Sequence, residues 1–149
     1  MKIKVLSFGK TKEEYLAGAI ADYCRRVNFY SHIEWIELTL SANKKSIQQK
    51  IKRVKSTLTS HYIVALDEKG KEYTSRQFAF FIEKMMVSGK EQITFILGGH
   101  DGLEEELLNR ADTRISLSRM TFTHQMVRLI FIEQLYRAFT IIKGEAYHH

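Results

Sequence analysis

Phe95-Ile96-Leu97-Gly98-Gly99-His100-Asp101-Gly102-Leu103, or FILGGHDGL, is the stretch that decides the fold. Three apolar residues run into two glycines, so a buried strand stops at a loop almost bare of side chains. Upstream, Gln92–Leu97 completes that strand, and downstream a short acidic helix follows Gly102. The same patterning extends outward in both directions. Lys2–Phe8 reads as a buried strand, and Thr11 is placed to cap a helix whose apolar stripe is Leu16, Ala19, Ile20, Tyr23 and Val27. His32–Leu38 alternates as a second strand. Ile47, Ile51, Val54 and Leu58 recur at helical spacing opposite a lysine- and arginine-rich face, which predicts a basic amphipathic helix over Lys44–Lys55. His61–Leu66 is a third strand, followed by a loop at Asp67–Lys71. Thr74 or Ser75 opens a helix through Phe78, Phe81, Ile82 and Met85. Arg114–Leu117 is the last strand, and a long helix runs from Thr121 to about Lys143, stopped by Gly144. Strand and helix alternate throughout. The expected fold class is α/β, a largely parallel sheet flanked by helices, in a single domain covering residues 1–149.

Composition agrees. The chain has 149 residues, 44% hydrophobic and 27% charged, enough for one solid core. No run of about 18 apolar residues marks a membrane span, and the opening Met1–Leu6 is too short for a signal peptide. The single Cys24 excludes an internal disulfide, fits a cytoplasmic setting and falls on the apolar face of the first helix. The net charge of +6 is uneven. Residues 1–60 hold 12 Lys/Arg against 5 Asp/Glu, whereas residues 61–149 hold 11 against 12. A polyanionic partner would meet the N-terminal part first.

In a sheet of this kind ligands bind beyond the carboxyl ends of the strands. Three such ends stand out: Leu66-Asp67, Leu97-Gly98-Gly99 and Leu117-Ser118-Arg119-Met120-Thr121. The glycine loop reads G-G-x-x-G and is no dinucleotide fingerprint, and Gly70-Lys71 lacks the remainder of a P-loop. The histidines are scattered, so no metal site is expected. There is no G-x-S-x-G elbow. In the final helix His124 and Arg128 share a face, as do Glu133 and Arg137, which are set to pair. The tail Gly144–His149 ends in Tyr147, His148 and His149.

GGHDGL, ISLSRMTFTHQMVRLIFIEQLYRAF and GEAYHH, in this order and spacing, resemble the SPOUT-class ribosomal RNA large subunit methyltransferase H family, which methylates N3 of a pseudouridine in 23S ribosomal RNA. The likeness extends over the whole chain, through KIKVLSFGK and ALDEKGKEYTS. Two positions depart from the pattern: Thr123 stands where a proline is common, and His100 where a small residue or proline is common. The resemblance implies a homodimer with a C-terminal trefoil knot, S-adenosylmethionine as methyl donor, and assembled ribosomes as the substrate. It places the cofactor against Leu66, Gly98 and the segment Leu117, Ser118, Arg119, Met120, Thr121 and Phe122, the three strand ends found above. A Cβ at Gly98 is expected to obstruct the cofactor or a neighbouring strand.

The nitrogen to be methylated carries a proton, and a base near neutral pKa would remove it. His148 of the tail is the first candidate and His124 the second. Tyr147 is placed to stack on the target base. Arg128 and Arg119 are candidates for phosphate binding or for balancing developing negative charge, and Arg137 for a structural role at a subunit contact. Two other classes fit the residues without the resemblance: a nucleotide- or flavin-binding α/β module with no RNA partner, and a non-catalytic RNA- or ribosome-associated factor.

Overall fold

The computed structural model describes residues 1–38 and 61–149. The expected basic helix at Lys44–Lys55 lies outside the described residues. Five strands, β1 (Lys2–Phe8), β2 (Ile33–Leu38), β3 (His61–Glu72), β4 (Gln92–Leu97) and β5 (Thr113–Ser116), form one sheet of order β2-β1-β4-β3-β5. Every pairing is parallel. The described helices are α1 (Glu14–Val27), α2 (Ser75–Val87), α3 (Glu105–Arg110) and α4 (His124–Lys143).

The sheet order follows from side-chain pattern. β4 buries Ile93, Thr94, Phe95, Ile96 and Leu97 in succession, so both of its faces are covered. Only a central strand meets that condition, and β4 lies between β1 and β3. β1 alternates instead, with Ile3, Val5 and Ser7 turned inward. On one face, helices α1, α2 and α4 close over Ile3, Val5, Val64 and Phe95 with Ile20, Ile82, Phe131 and Leu135. Phe95 and Phe131 meet with ring centroids 4.8 Å apart. On the other face, Leu107 of α3 covers Ile63 and Ile96. Each fully buried aliphatic or phenyl side chain contributes about 1.5–3 kcal/mol of transfer free energy.

Three local expectations are revised. Thr11 does not cap α1; the helix begins after Glu13 without a side-chain cap, and Thr11 is buried, donating its hydroxyl to Glu37. The expected loop at Asp67–Lys71 is a bulge inside one long strand. Leu66 and Lys71 both pair with Ile115, and Asp67 to Gly70 arch out between them. Gly70 permits this, because a Cβ there would stand 2.7 Å from the backbone of Arg114 and Ile115. The last helix starts at His124 rather than Thr121, capped by Thr123, whose hydroxyl accepts from the Met126 N–H. Residues 117–122 are thereby freed as a loop. The stop at Gly144 is as expected, with φ +70°.

Candidate functional site

The β3 bulge, the loops after β4 and β5 and the start of α4 enclose a cleft of about 570 Å³ bordered by Leu66, Asp67, Gly98, Gly99, Thr121 and His124. A smaller recess beside it is walled by Leu66, Leu117, Ser118, Met120, Thr121 and Phe122. The combined space is in the range that small-molecule sites occupy. Two loops form much of its border. Ser116 donates its hydroxyl to the Ser118 carbonyl, and Ser118 accepts from the Met120 N–H, which coils the loop after β5. Across from it the Gly98–Gly102 loop folds on itself, the Gly102 N–H donating to the Gly99 carbonyl at 3.0 Å. A Cβ on Gly98 would sit 2.6 Å from the Gly102 backbone. The residue that forbids a side chain at Gly98 is therefore the loop's own Gly102, not a neighbouring strand. The three strand ends singled out in the sequence thus meet at one place, and Arg119 lies at its margin, exposed and 3.5 Å from Glu72.

His124 and Arg128 sit at the cleft end of α4 but differ in access. Arg128 is fully buried. It donates to the Phe8 carbonyl at 2.7 Å and to Thr11 at 2.8 Å, with Glu37 at 3.6 Å. Those contacts tie the end of β1 to α4 and give Arg128 a positioning role in this chain, while its Nε stays buried without a hydrogen-bond partner among the described residues. Burial lowers its pKa, opposed by Glu37. His124 faces the cleft, its ring edge-on to that of His100 with centroids 6.0 Å apart. Burial first, and then Arg128, His100 and Lys12, hold the His124 pKa below its ordinary value.

Tyr147 and His148 lie elsewhere. The tail is packed against α1 and α4: Tyr147 donates to Glu133 at 3.1 Å, its hydroxyl is 3.2 Å from that of Tyr23, and its ring meets Tyr136 edge-on at 4.8 Å. Burial and the Tyr23 and Glu133 contacts raise the Tyr147 pKa. Arg137 pairs with Glu133 at 2.6 Å, lies over the Tyr147 ring, and is 3.4 Å from His148 Nδ1. Tyr30 donates to Glu145 at 2.6 Å. The tail is thus latched to α4 and to the α1 side through Tyr23, Tyr30, Glu133, Tyr136 and Arg137. Arg137 is 13 residues along α4 from His124, about 20 Å of helix rise. The four candidate catalytic residues therefore form two groups, His124 and Arg128 in the first two turns of α4 and Tyr147 and His148 beside its second half.

One cleft residue, Asp67, was named in the sequence only as part of a strand end, with no role attached. Asp67 borders both the cleft and the recess, and its Oδ2 is buried without a hydrogen-bond partner among the described residues, with Arg114 at 4.0 Å. Its position immediately after the apolar run His61–Leu66 was the available signal. A carboxylate oxygen left in that state suits a ligand hydroxyl or ammonium group. Among the described residues no cluster of three or more His, Cys, Asp or Glu forms a metal site, and no helix is long and apolar enough to cross a membrane.

A parallel sheet flanked by helices, with a cleft at the carboxyl side of its strands, defines the α/β class, and the family model described as "Predicted SPOUT methyltransferase" matches residues 1–148. Solved structures share the fold. A probable methylase family protein from Haemophilus influenzae Rd KW20 aligns with TM-score 0.57 at 12% identity, covering 99% of this chain and 70% of that one. The SpoU methyltransferase AviRb from Streptomyces viridochromogenes, in complex with AdoMet, aligns with TM-score 0.52 at 12% identity, covering 91% and 57%. Two relatives, each named "Ribosomal RNA large subunit methyltransferase H", are much nearer in sequence. That of Christiangramia forsetii is 44% identical over 100% of this chain and 99% of its own length. That of Carboxydothermus hydrogenoformans is 41% identical over 99% of both. The chain belongs to the SPOUT methyltransferases, and within them to the ribosomal RNA large subunit methyltransferase H family.

Proposed function

We propose that the protein is a cytoplasmic homodimer that methylates N3 of a pseudouridine in 23S ribosomal RNA on assembled ribosomes, with S-adenosylmethionine as methyl donor. The observation that carries this reading is that Leu66, Gly98, Leu117, Ser118, Met120, Thr121 and Phe122 border one cleft and the recess beside it. The residues fit that cofactor. Backbone N–H and C=O groups of the 117–122 loop suit an adenine edge, the bare Gly98 turn allows close approach, and the orphaned Asp67 carboxylate suits a ribose hydroxyl or the amino-acid ammonium. When bound, the sulfonium supplies an electrophilic methyl with a neutral thioether as its leaving group. The protein's task is then to position the ring nitrogen and remove its proton.

His148 is the proposed base and Tyr147 the proposed stacking surface. In their own chain both are held against Glu133, Tyr136 and Arg137 of α4, away from the cleft residues, and a second copy would bring its tail to the cleft. Exposed Met120, Phe122 and Met126 beside the cleft support such a subunit contact. The trefoil knot is part of the same reading, supported by the close passage of Gly70 against the β5 backbone. Arg119, exposed at the cleft margin, and the basic run Lys44–Lys55 of the sequence would meet RNA phosphates. The test is transfer of labelled methyl from S-adenosylmethionine to ribosomes from a strain lacking the enzyme. Label in 23S ribosomal RNA supports the reading, and cofactor binding without transfer to any ribosomal RNA contradicts it.

A further inference from the structure

The hydrogen bonds around His124 decide which ring nitrogen carries its proton. The neighbouring Gln125 amide is oriented by two backbone groups. Lys12 N–H donates to Gln125 Oε1 at 3.0 Å, and Gln125 Nε2 donates to the Lys10 carbonyl at 3.2 Å. The reverse orientation would set donor against donor and acceptor against acceptor. The same Gln125 Nε2 lies 3.1 Å from His124 Nε2. That contact is a hydrogen bond only if His124 Nε2 offers a lone pair, and the proton of the neutral ring is then on Nδ1.

The charges facing the ring agree with a single proton. Arg128 lies one turn along α4, His100 faces it from the glycine loop, and Lys12 from the segment after β1. The neighbouring carboxylates are engaged elsewhere, Asp101 with His100 at 3.2 Å and Glu37 with Thr11 and Arg128. Among the described residues, Nδ1 of His124 has no hydrogen-bond partner, and the ring borders the cleft.

We infer that His124 serves the cleft as a neutral hydrogen-bond donor through Nδ1–H to an oxygen of the bound ligand, and not as the base of the reaction. One ring nitrogen is used by Gln125 and the other already holds a hydrogen, so no lone pair is left to take a proton from the substrate. A carboxylate of the cofactor and a carbonyl of the pyrimidine share the required chemistry. The identity of the ligand rests on the proposed function; the tautomer does not.

Long-range proton–nitrogen correlation spectra of protein labelled at histidine nitrogen read the tautomer directly. Wild type is expected to show a protonated Nδ1 and a bare Nε2 at His124, and Gln125→Glu to reverse them, because a carboxylate requires a proton on Nε2. A wild-type ring protonated on Nε2 overturns the inference whatever the protein does. A second arm compares His124→Asn, whose amide nitrogen donates near the Nδ1 position and takes no proton, with His124→Ala. Asn is expected to keep turnover within about threefold of wild type and Ala to lose about tenfold or more. Equal loss in both, with cofactor binding intact, contradicts the donor role. A downfield shift of Nδ1–H with S-adenosylhomocysteine alone assigns the acceptor to the cofactor, and one needing an RNA fragment assigns it to the base; no shift with both bound overturns the inference. Absent cofactor binding with the Nδ1–H tautomer intact would remove the methyltransferase reading and leave the donor assignment standing.

Discussion

Gly98 concentrates the argument at the scale of single residues. Its backbone closes the loop against Gly102, so Gly98→Ala drives a methyl to within 2.6 Å of backbone atoms that have no flexible end to yield. The expected cost is about 1–3 kcal/mol in stability, seen as a lower urea midpoint, together with weakened S-adenosylmethionine binding by calorimetry. An unchanged affinity would mean that the loop does not shape the cofactor site. Asp67→Asn is nearly isosteric and removes only charge. It is expected to weaken cofactor binding while leaving the melting temperature close to wild type, and equal binding would leave the orphaned oxygen without a role. His124 adds a dependence on pH. Its pKa is depressed in the folded chain, so the unfolded chain holds that proton more tightly. Stability is complete above the unfolded value of about 6.5 and falls as pH drops through it. Urea midpoints at pH 7.5 and 5.5 should therefore fall further for wild type than for His124→Asn. Cys24 is inert as its place on α1 suggested, with burial pushing its thiol up to about 11.

Elements explain which parts of the fold were legible in the sequence. β1 and β4 were read to the residue because their apolar runs are bounded by glycine or by charge. α2 was read from its start, since Thr74 and Gln77 form a reciprocal cap. Thr74→Ala should cost about 1 kcal/mol in a denaturation series. The β3 bulge was hidden because Asp-Glu-Lys-Gly-Lys is turn-like in composition, and what keeps it within a strand is non-local pairing of Lys71 and Glu72 with β5. The start of α4 was placed early for the opposite reason: Thr121 and Thr123 both look like caps, and only the loop packing over the recess selects Thr123. The three strand ends that border the cleft were legible because strand ends are local features. The latched tail was not, because Tyr23, Tyr30 and Glu133 lie far from Tyr147 and Glu145 in sequence. Deleting residues 145–149 should leave cofactor affinity unchanged and abolish methyl transfer; retained transfer would exclude His148 as the base.

For the whole molecule, one chain holds the groups of the proposed reaction in two separate places. The cleft with its loops and His124 lies at the start of α4, and Tyr147, His148 and Arg137 lie beside its second half. Two copies arranged tail to cleft would complete both sites. Sedimentation equilibrium should therefore give twice the chain mass of 17.4 kDa, and a mixture of His148→Ala and Gly98→Ala chains should recover activity that neither has alone, because one of the two sites in a mixed dimer is intact. The measurement closest to the central claim is the mapping of labelled methyl after incubation with ribosomes from a strain lacking the enzyme. The account predicts label on one pseudouridine of 23S ribosomal RNA, at N3, and none with the chain lacking residues 145–149. Binding of S-adenosylmethionine with no label in ribosomal RNA, or label on a residue other than pseudouridine, would contradict it.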